Sequence, residues 1–423
     1  MKISQQIYKT LLVLILVLQI WIPSVEFLVV FSGVCVFFLV SETKVKLSEN
    51  VFNILSYLAI ILVIGLVVSF FHSYSWFDKV RDFVHFIKPI LVLLLGYLLC
   101  RKIKDHQFII KTIIYVGVAF SIYHLGKLGF ADLKKGTIEE IRAKGGIGNF
   151  IELLALVFLI AKKRFSNFDV IPSKIKRNVI LIILFTSFCL YFSRTMLLGA
   201  GIFLFSFYGY TKMTRKAIKY IAIASVLFGV FYAYLFTLNL DADKPGIQQF
   251  FFKIRNAPAE VFSPPSNYNP SNQKEIFKYW RAYEASKAVT QMQENPINYV
   301  VGRGFGSLVD LGFKAPIGGE DGLRYVPHIH NGYVYVFFKT GIIGLFFYLV
   351  MLFNLYKQTY LNTKTKKEKL LRRIISGFGS YYFFTSLIIT GIYNFGEISF
   401  FCLGLFLYLV HAEKRNNENE VND

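Results

Sequence analysis

The sequence predicts an all-α polytopic integral membrane protein, with about 12 transmembrane helices and one large external segment between the ninth and the tenth. Three observations carry this reading. Hydrophobic residues make up 55% of the 423 and aromatics 17%, with a mean hydropathy of +0.49. Most of the apolar content falls in blocks of about 15 to 22 residues, the length that spans a bilayer as helix. The Lys and Arg behind the net charge of +21 lie in short clusters between those blocks and not along one amphipathic face. The charge therefore reads as a topology signal, and no nucleic-acid partner is expected.

Taken in order, the chain opens with MKISQQIYKTLLVLILVLQI, a basic start and an apolar run. No small-residue cleavage site follows, and apolar sequence resumes after Pro23, so this reads as a retained span and not a signal peptide. The expected spans are 8–23, 25–40, 51–71, 84–100, 108–123, 147–161, 178–192, 196–210, 220–237, 341–356, 374–392 and 398–411. Only Pro23 and Ser24 separate the first two, and a single tilted span there would invert the parity of everything after it.

Basic residues of short loops collect on the cytoplasmic side. With the N-terminus inside, the cytoplasmic loops and the tail hold more than half of the 47 Lys and Arg, whereas SRT and YNFGE on the other face hold one between them. The loop 124–146 breaks the pattern with Lys127, Lys134, Lys135, Arg142 and Lys144. The resulting organisation is helices 1–9 over 1–237, a large external segment over 238–340, helices 10–12 over 341–411 and a cytoplasmic tail over 412–423.

Residues 238–340 begin LNLDADKPG, pass a Pro/Ser/Asn-rich linker, SPPSNYNPSN, and reach a helical stretch, QKEIFKYWRAYEASKAVTQM. Ile276, Trp280 and Tyr283 share a stripe on it, which suits a helix lying on the membrane or packed on the protein's own spans. Cys35, Cys100, Cys189 and Cys402 all lie inside apolar blocks, with neither a disulfide framework nor zinc spacing.

The chemistry is expected where VPHIHN meets the apolar run of the tenth span. The imidazole of His330 can take a proton from a sugar hydroxyl, help typically worth ~10²–10⁴ in rate. The plainer alternative is an interfacial histidine beside an Asn331 that caps the next helix. His328, two residues earlier, has no third ligand of suitable type nearby, so no metal is expected. Arg194 in YFSRTMLLG sits at a membrane boundary, where a guanidinium needs a partner; Glu152, the headgroups or a phosphate would serve. Arg281 in KYWRAYEASK offers a second phosphate contact. VGRGFGSL lacks the GxGxxG spacing and reads as a tight turn, although its amides could still bind an anion. Lys111 and Glu152, charged within spans, keep a non-enzymatic transporter open as an alternative.

The order SRTMLLG, WRAYEASKA, VGRGFGS and PHIHN followed by KTGIIG resembles the bacterial O-antigen ligase and O-antigen polymerase superfamily. The resemblance implies a glycosyltransferase of the bacterial inner membrane that needs neither metal nor cofactor, has its site on the periplasmic side, where the large segment (238–340) lies, and takes an undecaprenyl-diphosphate-linked glycan as donor. Arg194 and Arg281 would bind the diphosphate and His330 would activate the acceptor hydroxyl, with His328 and Asn331 supporting it. The acceptor is either another lipid-linked repeat unit (polymerase) or lipid A-core (ligase); the polymerase is marginally favoured, because each surface polysaccharide tends to need its own.

Overall fold

A computed structural model describes residues 4–42, 46–128, 141, 144, 146–161, 171, 173–241, 247–263, 279–315, 322–395 and 398–422, with side chains to 417. Most of the basic loop 124–146, the linker after Ser263 and the stripe residue Ile276 lie outside these.

Each of the 12 expected spans coincides with a helix. They are α1 (Gln5–Trp21), α2 (Val25–Ser41), α3 (Glu49–Phe70), α4 (Trp76–Lys102), α5 (His106–Lys127), α6 (Asn149–Ile160), α7 (Lys174–Leu190), α8 (Arg194–Tyr208) and α9 (Arg215–Thr237). The external segment follows with α10 (Ile247–Phe262), α11 (Trp280–Met292), α12 (Ile297–Val301), β1 (Val309–Ala315) and β2 (Leu323–Val326); α13 (Gly332–Tyr356), α14 (Lys366–Ile388) and α15 (Ser399–Asn422) complete the chain. By length and apolarity 5 of them can cross a bilayer alone: α3, α4, α5, α9 and α13. The helices α1, α2, α6 and α8 are apolar but shorter. Pro23 does end α1, and Ser24 starts α2 by accepting the Phe27 amide at 3.2 Å, so the first two segments are separate helices.

The centre of the bundle is α4, which packs on α2, α3 and α15. Its approach to α15 depends on small residues. A Cβ at Gly96 would lie 2.2 Å from the Phe401 carbonyl, and one at Gly404 2.3 Å from that of Leu93, so the backbones meet directly.

Two features depart from the expectation. The external segment is not wholly helical: β1 and β2 pair antiparallel, Val309 opposite Val326 and Asp310 opposite Tyr325. The helix expected from residue 341 begins at Gly332 and breaks at Gly341, whose φ of 66° and ψ of −167° interrupt the ladder. The carbonyls of Phe338 and Lys339 then accept from the amides of Arg303 and Gly304, at 2.8 and 3.0 Å. This consumes the glycine loop. Phe305 donates to the Gly65 carbonyl at 2.9 Å and Gly306 to Asp82 at 2.7 Å, so the amides from 303 to 306 are spent on the fold and do not face a ligand. Lys339, fully buried, closes the plug by reaching Asp82 at 2.5 Å and the Ser307 carbonyl at 2.5 Å.

Candidate active site

Arg194 is the first residue of α8. Ser193 caps that helix, and Phe192, at φ 47°, turns the chain into it; it is the non-glycine residue with positive φ among the described residues. A short turn between two apolar helices thus places a guanidinium at a helix N-terminus, where the peptide dipoles also favour an anion. Arg194 does not pair with Glu152, which accepts instead from Ser187 and Tyr191, each at 2.7 Å. Its partners come from α10: the Lys253 carbonyl and, at 2.9 Å, the Glu260 carboxylate.

The other oxygen of Glu260 meets Arg281, also at 2.9 Å. One carboxylate therefore bridges the two arginines singled out in the sequence, and all three side chains are about one-fifth exposed, at 22%, 20% and 20%. Burial holds the Arg281 guanidinium below its usual value; Glu260 opposes this, and the like charge of Arg194 adds to it. An arginine stays charged under such a shift, so the site is a cationic pair held around one anion.

Arg281 is on α11, which buries Tyr283, Ala288 and Met292 against the protein; the Tyr283 hydroxyl donates to the Leu311 carbonyl of β1 at 2.6 Å. The helix is therefore fixed by packing on its own chain. Three residues beyond Arg281, on the same side of the helix, Glu284 is 2% exposed and takes two hydrogen bonds from His330: the backbone amide at 3.0 Å and Nδ1 at 2.8 Å. A carboxylate only accepts, so Nδ1 carries a proton, and in the neutral imidazole this leaves the lone pair on Nε2. The ring itself is 53% exposed, so that lone pair is open to an acceptor.

The remaining sequence candidates fall in other roles. Asn331 caps α13, its Oδ1 accepting the Val334 amide at 3.1 Å. His330 is held by Glu284, and among the described residues no hydrogen bond joins it to His328. The His328 ring lies against that of His85, centroids 4.1 Å apart and planes tilted by 51°, and touches Phe395 and Tyr335; burial, with the charge of His85 beside it, pushes it well below the ordinary histidine value. The two histidines thus face different surroundings. Glu152 belongs to a buried cluster with Ser187, Tyr191 and His124, and Lys111 is partly exposed on α5.

Beside Arg194 lies a cavity of about 630 Å³ between α8, α9, α10 and α14. Its walls are apolar, with Leu198, Phe231, Phe251, Val261 and Leu387 among them, and among the described residues Arg194 is the one charged side chain that lines it. An arginine pair around one carboxylate, an apolar cavity beside Arg194 and a histidine held by a second carboxylate thus occur together in a mostly helical protein with helices long and apolar enough to cross a membrane.

Residues 179–349, from α7 into α13, match the family model described as O-Antigen ligase, and this match supports the O-antigen ligase and polymerase superfamily for the chain. The matched stretch contains Arg194, Glu260, Arg281, Glu284 and His330. No curated protein matches the chain.

Proposed function

We propose that the protein is an inverting glycosyltransferase of surface-polysaccharide synthesis that moves a glycan from undecaprenyl diphosphate to an acceptor hydroxyl at the periplasmic face of the inner membrane. The observation that carries this is the Arg194–Glu260–Arg281 clasp, one helical turn from the carboxylate that holds His330. In the reaction the donor diphosphate takes the place of the Glu260 carboxylate between the guanidinium groups. The isoprenoid enters the apolar cavity beside Arg194. Nε2 of His330 removes the acceptor proton, the oxygen attacks the anomeric carbon from the face opposite the diphosphate, and the bond from that carbon to the phosphate oxygen breaks. Undecaprenyl diphosphate leaves with its developing charge met by fixed cations, the role a metal ion would otherwise serve.

The topology in this reading is the 12-span arrangement with the N-terminus in the cytoplasm. Of the two acceptors, another lipid-linked repeat unit, which makes the enzyme a polymerase, is marginally preferred because each surface polysaccharide tends to need its own. The description of the matching family, O-Antigen ligase, favours the second acceptor, lipid A-core. The test is purified protein with a lipid-linked glycan and acceptor, with and without a chelator. Product should form in both, and Arg194→Ala, Arg281→Ala and His330→Ala should each lose it; full activity in all three variants removes the site. In cells, core capped by one repeat unit after deletion identifies a polymerase, and bare core with lipid-linked polymer identifies a ligase.

A further inference from the structure

At the end of the bundle away from Arg194 and His330, a second cavity of about 810 Å³ opens between the ends of α3, α4, α13, α14 and α15. Along α4, Arg101 at this cavity lies 19 residues beyond Asp82, which at the helical rise is about 28 Å, close to the hydrocarbon thickness of a bilayer. Six cationic side chains line it: Lys46, Arg101, Lys357, Arg372, Lys414 and Arg415. The carboxylate among the lining residues is Glu49. Arg372 is also paired with Glu368, at 2.8 Å, and held by Gln358 at 2.6 Å, which fixes one wall. Tyr97 ties the opposite wall, accepting the Ser48 amide at 3.1 Å and bonding His411.

Basic loop residues by themselves indicate topology, but these converge from five segments on one interhelical cavity. We infer that it binds the phosphate-bearing headgroup of an anionic phospholipid. Phosphate is the anion that such a concentration of Lys and Arg recognises, and basic pockets between helices at a membrane surface take such headgroups. The lipid is preferred to a soluble phosphate compound because the helices that form the cavity also carry exposed apolar side chains at the same level: Phe52 on α3 and Phe353 on α13, each next in sequence to a lining asparagine, are 60% and 56% exposed and offer apolar surface for acyl chains.

The experiment uses the full chain in nanodiscs of phosphatidylcholine, alone or mixed equally with cardiolipin, followed by native mass spectrometry after gentle extraction. The wild type should retain cardiolipin in preference to phosphatidylcholine. The variant Lys357→Gln/Lys414→Gln/Arg415→Gln, all at exposed positions far from the arginine clasp, should bind it about 100-fold more weakly, at roughly a factor of five per basic residue. Lys216→Gln/Lys219→Gln/Lys366→Gln removes as many exposed charges outside the cavity and should retain cardiolipin as the wild type does. Equal loss in both variants reduces the effect to general surface charge and overturns the site. Displacement of cardiolipin by millimolar inorganic phosphate, with no dependence on acyl chains, overturns the lipid assignment.

Discussion

Replacing Glu260 by Gln tests the clasp most directly, because it removes the charge that occupies the site while keeping the side chain's length. In the free protein each oxygen of Glu260 lies 2.9 Å from a guanidinium nitrogen. Two unit charges 4 Å apart attract by about 4 kcal/mol at an effective dielectric constant of 20, whereas fully exposed pairs contribute about 0–1 kcal/mol. Side chains one-fifth exposed fall between these limits, and about 1 kcal/mol for each of the two pairs is a conservative figure. An incoming diphosphate must forgo both, so Glu260→Gln should tighten its binding by about 10- to 100-fold. The measurement is calorimetric titration of inorganic pyrophosphate into the detergent-solubilised protein at fixed ionic strength, with Glu260→Asp as the charge-retaining control. An unchanged or weaker affinity in Glu260→Gln would show that Glu260 does not compete for the anion and that the arginines form a structural bridge.

Further outcomes follow from the same geometry. Glu284→Gln keeps the shape of the pocket but offers an amide where only an acceptor served, so His330 loses its fixed tautomer; kcat should fall about 10- to 100-fold with pyrophosphate binding unchanged, and a fall in both would mean that α11 had shifted. Asp82→Asn leaves the buried Lys339 ammonium without its counter-ion, a loss of about 3–5 kcal/mol, read as a lower unfolding temperature; Asp82→Asn/Lys339→Met should recover most of it, and a single variant as stable as wild type refutes the lock. Asp310 is held below the ordinary aspartate value, first by its hydrogen bonds from Arg324. Its contribution is therefore present above the unfolded pKa of about 4 and is lost as pH falls through the lower folded value; amide exchange across β1 and β2 should quicken only in that acid range. In a cysteine-free background, a cysteine at Ser266 should react with an impermeant reagent from outside and one at Lys366 should not, and the reverse pattern would invert the topology.

The helices were legible because their signal is local. Apolar runs bounded by Pro23, Ser24 and the basic loops reappear as α1 to α9 and α13 to α15, since a helix satisfies its backbone hydrogen bonds within one contiguous segment. The hairpin also had a local signature, Val309, Leu311, Phe313 and Ala315 alternating along β1, but four apolar residues among glycine and charge are faint beside runs of 15 to 22. The break in α13 was half visible: residue 341 was read as the start of a span and is the position of the interruption. What makes it a break is a partner, the 301–307 loop, that supplies hydrogen bonds to the freed carbonyls from some 35 residues upstream, a distance no periodicity encodes.

The site divides in the same way. Arg194, Arg281 and His330 are cations or a base at membrane edges, costly enough in such places to be conspicuous one at a time. Glu284 was within reach of inference, three residues from Arg281 and so on its side of α11. Glu260 was not. It stands in an unremarkable helix, 66 residues from one of its partners and 21 from the other, and its meaning arises only when α8, α10 and α11 converge. A carboxylate between two guanidinium groups keeps a cationic site tolerable beside an apolar cavity while no substrate is present. In the proposed reaction the same arrangement would make donor binding an exchange of one anion for another, which is why the charge of Glu260, opposing that of the two arginines, should help to set the affinity for the donor.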